Sequence, residues 1–327
     1  MAKKRILSGM RPTGPLHLGN LHGALSNWKK MQEDYECFFF IADWHALTSD
    51  YDMTGLIQDY IMDIFIDWLS VGLSPEKSTL FVQSHTKEHA ELFLLLSMIT
   101  PLPWLERNPT YKEQIAQLKN KDLSTFGFLG YPVLQAADII MYKANGVPVG
   151  IDQAPHVELT REIARRFNHF YGDIFPIPET ILTETSKILG IDRRKMSKSY
   201  NNAIFLSDSP EEIRNKVSQM ITDPQRARRT DPGNPGVCNV FSFHQLYSSQ
   251  QIVQSVDQEC RKAQIGCVEC KQMMAENLIM ALEPVHEQRA YYKAHPDKVR
   301  AIIEDGDHKA RVVAGKTMEQ VRAAIKI

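Results

Sequence analysis

Two short stretches carry residues whose types and spacing suit work on a phosphate. The first runs Ile6-Leu-Ser-Gly-Met-Arg-Pro-Thr-Gly-Pro-Leu-His-Leu-Gly-Asn20. It reads as a buried strand, a Gly/Pro-rich turn and the start of a helix, and a helix N-terminus fed by a strand offers backbone N–H groups to an anion. Gly9, Gly14 and Gly19 let backbone pass where a side chain would block it. His17 and Asn20 stand one helical turn apart, so both can face one ligand. The second stretch, Lys195-Met-Ser-Lys-Ser199, sets two lysines three apart in a polar loop with a small hydroxyl between them. Alone, the first is also an ordinary βα turn and the second a solvated basic loop, because short motifs recur by chance.

Two further groups invite chemistry. Tyr131-Pro-Val-Leu-Gln-Ala-Ala-Asp-Ile-Ile-Met-Tyr142 is an apolar helical run with a single carboxylate, Asp138. An unpaired buried charge is costly, so Asp138 needs a partner: a helix cap, an internal salt bridge or a ligand. Cys238, Cys260, Cys267 and Cys270 give the spacing C-x21-C-x6-C-x2-C. Four thiolates hold a structural Zn²⁺ or a [4Fe–4S] cluster, and core thiols are the third reading. Zinc knuckles usually bring two paired arms, and only one arm is paired here. Cys37, in an apolar run, reads as core.

The elements that must position these groups alternate. Leu21 to Glu36 has helical periodicity, and Cys37-Phe-Phe-Phe-Ile-Ala42 is a continuous apolar run, hence a buried strand. Asp43-Trp-His-Ala-Leu-Thr48 follows at its carboxyl end, where open α/β sheets bind ligands, so His45 is a pocket candidate. Thr54 to Val71 reads as a helix, Ser78 to Gln83 as a strand and Glu88 to Met98 as a helix. Val147 to Gln153 reads as a strand ending in a Gly turn, and His156 to Phe167 as a helix with Arg161, Arg165 and Arg166 on a solvated face. This alternation argues an α/β, doubly wound parallel sheet. From about 100 to 130 the pattern breaks, with Pro101, Pro103 and Pro109, as an insertion would. Beyond Asn202 the strand signal stops. Ser209 to Met220, opened by Ser209-Pro-Glu-Glu, is a capped helix, and Val268 to Leu282 and Ala301 to Ile325 are also helical. Arg226-Ala-Arg-Arg229 makes a basic turn that either touches phosphates or faces solvent.

Bulk composition sets limits. A chain of 327 residues buries a substantial core and suits one large and one smaller domain. A net charge of −1 gives no global basic footprint, though local patches suffice for nucleic acid. No signal-like apolar run follows the basic N-terminus, and no run is long enough to span a membrane, so a cytoplasmic protein is expected. Cysteines crowded into the last third suit a metal site better than disulfides there.

The pair His17-Leu-Gly-Asn20 and Lys195-Met-Ser-Lys-Ser199 resembles the two signatures of class I aminoacyl-tRNA synthetases. Asn20, where the commonest form ends in His, resembles the tryptophanyl branch. The resemblance covers nearly the whole chain. It implies a Rossmann-like catalytic domain over 1–205, its 100–130 insertion contributing to a dimer interface and the active site. Residues 206–327 would form a helical anticodon-binding domain whose last helix packs back on the first. ATP, taken with Mg²⁺, would meet Arg11, Pro12, Thr13, Gly19, Asn20, Gly150, Ile151, Asp152, Lys195, Met196, Ser197, Lys198 and Ser199. Tryptophan would meet Gly9, His45, Tyr131, Gln135, Asp138 and Gln153. His17, Asn20, Lys112, Lys195 and Lys198 would carry catalysis. Indole offers a donor and no acceptor, so the acceptor-only carboxylate of Asp138 suits it. Gln135 departs from the family's frequent Met, and Ile151 from a frequent acidic residue. A subset of the branch places a [4Fe–4S] cluster on very similar cysteine spacing, with zinc as the alternative. The implied partners are tRNA(Trp), L-tryptophan, ATP and a second copy of the chain, with no membrane. Three rivals stand beside this reading. A tyrosyl enzyme typically carries Tyr where Leu7 stands. A small nucleotidyltransferase lacks the lysine loop. An iron–sulfur protein on a synthetase scaffold would not need intact catalytic motifs.

Overall fold

The computed structural model describes residues 3–108, 123–183 and 188–327. Five strands, β1 (Arg5–Met10), β2 (Glu36–Ile41), β3 (Ser78–Val82), β4 (Gly146–Val149) and β5 (Glu179–Leu182), pair in parallel in the order β3-β2-β1-β4-β5. β1 and β2 run in register from Arg5 opposite Glu36 to Met10 opposite Ile41. Successive side chains of a strand point to opposite faces, and the apolar runs therefore feed two cores. Ile6, Phe39 and Leu80 join one, with the helices Ser26–Asp34 and Ile57–Ser70. Leu7, Phe38 and Phe81 join the other, with the helices Glu88–Ser97, Phe126–Met141 and Ala154–Tyr171. The sheet is the expected doubly wound arrangement.

Several local expectations are corrected. Asp43 to Thr48 is no bare strand end but part of a helix, Asp43–Asp50, that starts directly after β2. β5 was not foreseen, because a four-residue edge strand flanked by Pro176 and Pro178 shows no apolar run. The helices Asn239–Tyr247 and Gln250–Arg261 also went unread. Ser209 caps the helix Pro210–Ser218 reciprocally with Glu212, as the Ser-Pro-Glu-Glu start predicts. The last two helices, Cys267–Ala294 and Pro296–Ile325, are longer than the periodicity suggests. The final helix lies against β3, and it is fastened to the rest by Arg322 on Glu91. The buried pair Arg289–Asp67 ties the helix before it to Ile57–Ser70.

Candidate active site

The two phosphate-type stretches meet. Leu18 N–H donates to the Ile204 carbonyl at 3.0 Å, and Leu206 N–H to that of Leu16 at 2.9 Å. This short antiparallel contact brings the chain after the lysine loop against the first turn. Met196 is buried and anchors the loop. Asn202, also buried, shapes it: its amide donates to Asp192 at 2.7 Å and its oxygen accepts from Ser197 N–H at 2.8 Å. Lys198 Nζ then reaches the Gly14 carbonyl at 2.8 Å. Gly14 has φ +123°, a backbone conformation that favours glycine, and it sits directly against the Lys198 side chain. Burial, then the charge of Arg11, pulls the Lys198 ammonium down to about 8. Burial, then Lys198, pulls His17 down to about 4, so it is neutral near pH 7. His17 Nδ1 is buried and has no hydrogen-bond partner among the described residues. Asn20 accepts from the His17 backbone N–H at 3.0 Å. A neutral donor, two lysines and a helix start therefore converge where a polyphosphate would fit.

Beside this lies a cavity of 420 Å³, walled by the carboxyl ends of β1, β2 and β4 and by the helix Phe126–Met141. Gly9, Arg11, His45, Tyr131, Gln135, Asp138, Gly150 and Gln153 all line it, as does Leu7. Arg11 also donates to Ser49 Oγ at 3.3 Å. Pro12 is buried and Thr13 exposed beside them. Ile151 turns its side chain to solvent at 72% exposure, leaving only backbone to the site, and Asp152 is exposed next to it. Lys195 and Ser199 are exposed on the loop, and Ser199 Oγ lies 2.9 Å from Ser197 Oγ. Gly19 packs on the His17 ring. Lys112 lies outside the described residues.

Asp138 is fully buried and well partnered. Its Oδ1 accepts from Gln83 Nε2 at 2.8 Å and His89 Nδ1 at 2.6 Å; its Oδ2 accepts from His45 Nε2 at 2.7 Å. His89 Nε2 in turn accepts from the Tyr142 hydroxyl at 2.7 Å. Burial pushes the Asp138 carboxyl up, but the hydrogen bonds from His45 and His89 outweigh it and hold it below the usual carboxylate value. A second chain runs from Gln153 Oε1, accepting from His156 Nδ1 at 2.9 Å, to His156 Nε2, accepting from the Tyr131 hydroxyl at 2.9 Å. Burial holds His156 down at about 4 and pushes Tyr131 up to about 12, so both are neutral. Sequence reading missed Gln83, His89, Tyr142 and His156. Gln83 had one available signal, its place at the carboxyl end of a strand.

In the helical region Arg226 Nη1 lies 3.8 Å from both Cys260 Sγ and Cys267 Sγ. Arg226 is thus turned inward, against the expectation of a phosphate-facing or solvated turn. Burial, then the charges of the other three cysteines, pushes Cys270 up to about 12. The four thiols therefore stand within electrostatic reach of one another. No three His, Cys, Asp or Glu among the described residues are arranged to hold a metal ion, which lends support to neither the cluster nor zinc. A Cβ on Gly233 would come 2.5 Å from Cys260 Sγ, so the wall is fitted to the sulfur.

A parallel sheet in this order, with a His-x-Gly-Asn helix start and a Lys-Met-Ser-Lys-Ser loop closed on it, defines a class I aminoacyl-tRNA synthetase fold and nucleotide site. The family described as tRNA synthetases class I (W and Y) matches residues 2–283, and the chain belongs to it. It is similar to tryptophan–tRNA ligases of Thermotoga maritima, 54% identical with 99% of each chain covered, and of Aquifex aeolicus, 46% identical with 99% of this chain and 100% of that one covered. Among solved structures it resembles the tryptophanyl-tRNA synthetase of Campylobacter jejuni complexed with ADP and tryptophan. The TM-score is 0.92 at 33% identity, covering 99% of this chain and 100% of that one. The tyrosyl-tRNA synthetase of Archaeoglobus fulgidus, at 20% identity and TM-score 0.65, shares the fold.

Proposed function

We infer that the protein is an ATP-dependent ligase that joins L-tryptophan to tRNA(Trp). The observation that carries the choice of amino acid is Asp138, an ionised, acceptor-only group lining the 420 Å³ cavity. Buried Leu7 faces the same cavity and offers a phenol no partner. The tryptophan carboxylate attacks the α-phosphorus of ATP, which is taken with Mg²⁺, and pyrophosphate leaves. The 2′-hydroxyl of the terminal tRNA adenosine then takes the aminoacyl group and AMP leaves. No covalent enzyme intermediate is required, so catalysis rests on positioning and charge. His17 and Asn20 hold the phosphates at the first helix. Lys195 and Lys198 meet the charge that builds on pyrophosphate. Asp138 accepts the indole N–H, with His45, at the cavity side of its carboxylate, yielding or sharing its place. ATP–pyrophosphate exchange run separately with tryptophan and tyrosine tests this. Exchange driven by tyrosine as well as by tryptophan would overturn it.

The reading extends to three finer points. Cys238, Cys260, Cys267 and Cys270 hold a [4Fe–4S] cluster, a reading supported by the approach of Cys260 and Cys267 to Arg226 and by the charge effect of the other three thiols on Cys270. Such a cluster would staple the start of the helix Asn239–Tyr247, at Cys238, to the helices Gln250–Arg261 and Cys267–Ala294. Iron and acid-labile sulfide assayed on anaerobically purified protein test it, and stoichiometric zinc would refute it. The chain forms a homodimer. Leu92 and Leu96 are buried in the subunit's own core, whereas Leu94, Met98, Leu102 and Phe126 nearby are exposed apolar side chains. Light scattering showing only a 37.4 kDa species at micromolar concentration would rule the dimer out. The enzyme works in the cytoplasm, where charged tRNA is used. Among the described residues no helix is long and apolar enough to cross a membrane.

A further inference from the structure

β3 is an edge strand of the sheet, and the C-terminal helix Pro296–Ile325 covers it. The approach is close: a Cβ on Gly306 would stand 1.7 Å from the Leu80 carbonyl oxygen, so only glycine fits. The next residue, Asp307, is buried. Its Oδ1 accepts from Val82 N–H at 3.0 Å, satisfying an edge donor that no strand pairs. Its Oδ2 accepts from His85 Nδ1 at 2.5 Å. Between these two contacts sits Gln83, with no exposed surface. Gln83 Nε2 donates to both oxygens of Asp138, at 2.8 and 3.0 Å, and its Oε1 accepts from Trp44 N–H at 3.2 Å. From the other side, Asp43 Oδ1 accepts from Ser84 N–H at 3.0 Å. The turn Gln83–His85, which carries the amide that orients Asp138, is therefore gripped from both sides at the residues next to Gln83 and at His85.

We propose that Asp307 is a positioning residue for the amino-acid site, acting through the turn Gln83–His85 on Asp138. The proposal rests on the reading of Asp138 as the indole acceptor. Capping an edge N–H needs one carboxylate oxygen. Asp307 commits its second oxygen to the same turn, across Gln83, and so fixes the turn's orientation as well as its hydrogen-bond count. The final helix is thereby part of the wall behind the tryptophan cavity, although in sequence it is the most distant element from the first signature.

Amino-acid-dependent exchange on the full-length protein, with tryptophan and ATP varied separately, tests this together with thermal unfolding. Asp307→Ala should raise the KM for tryptophan about five- to tenfold, the size of couplings carried through packed networks, with the KM for ATP unchanged within roughly twofold. Gln83→Met should do the same. The double variant should be no worse than Gln83→Met alone, because both act on one contact. If Asp307→Ala does not fold, His85→Ala removes one of the two contacts at a partly exposed residue and should give a smaller rise, which His85→Gln restores. A lowered Tm with an unchanged tryptophan KM, or additive effects in the double variant, would make Asp307 an edge cap only and overturn the proposal. Asp138→Asn is run alongside. If it leaves the tryptophan KM unchanged, the Asp138 reading itself falls. If it is impaired while Asp307→Ala is not, the proposal falls alone.

Discussion

The two ends of the site are built to opposite rules. At the amino-acid end, Asp138 has no exposed surface and three side-chain donors, each from an element packed in the core. At the nucleotide end, His17 Nδ1 has no partner among the described residues, and Lys198 makes one contact with a backbone carbonyl from a loop whose Lys195 and Ser199 are exposed. The contrast follows from what each end must do. Telling one substrate from another needs an acceptor that cannot reorient, because a mismatch must leave a buried group unpaired. Stabilising charge that appears only during reaction needs donors that are not spent in the ground state, on a segment able to close over the nucleotide.

The sharpest way to break the contrast is Asp138→Asn. An amide keeps size but can present a donor to the indole N–H. We expect kcat/KM for tryptophan to fall by about 2–4 kcal/mol in transition-state terms, with ATP affinity little changed. A variant that loses thermal stability and keeps full selectivity would reduce Asp138 to a purely internal member of its network. Next come Lys195→Ala and Lys198→Ala, each expected to slow adenylate formation by about 2–3 kcal/mol while tryptophan binding holds. Equal losses in rate and in tryptophan affinity would show the loop to be structural.

Two smaller effects sharpen the contrast. Lys198 in the unliganded protein titrates at about 8, so its charge is lost as pH rises through that value. The kcat/KM for ATP should fall above about pH 8, and Lys198→Arg, which stays charged, should lose that alkaline limb even if slower throughout. His17 and His156 titrate at about 4 when folded, below the ordinary 6.5. The unfolded chain therefore binds more protons between those values, and the stability of the neutral rings is lost as pH falls from 6.5 toward 4. Tm measured against pH should drop less steeply on the acid side in His156→Gln. The smallest effect belongs to Gln135→Met. This near-isosteric change in the cavity wall should cost under about 1.5 kcal/mol in tryptophan kcat/KM and in stability, readable by the same exchange and unfolding measurements.

The nucleotide end was legible because its parts are contiguous. Gly14 to Asn20 and Lys195 to Ser199 each keep their chemistry within one turn or loop, so spacing alone shows which groups face together. The amino-acid end was half legible. Asp138 stands out as one charge in an apolar helix, and that demands a partner. Of its partners only His45 stands out, by its place at the carboxyl end of a strand. Gln83 and His89 come from separate elements, and a lone His or Gln beside a helix start looks like any polar residue. His156 was passed over for the same reason, since its partner Tyr131 lies on another helix. Arg226 was misjudged because a basic turn looks solvated until the cysteines it faces are folded around it.

The sequence by itself determined the periodicities that make a parallel sheet, the glycines and caps that turn strands into helices, and the two phosphate-facing segments. Those are local consequences of side-chain shape and backbone freedom, and they are settled within a few residues. Tertiary structure decided which donors converge on Asp138, that Lys198 closes on Gly14, and that the final helix lies against β3. Such contacts join residues far apart in the chain: Val82 and Asp307 stand 225 positions apart. They form only because burial leaves edge N–H groups and buried carboxylates no water to bond. That need for a partner can be read in the sequence, but which residue meets it is fixed only by packing.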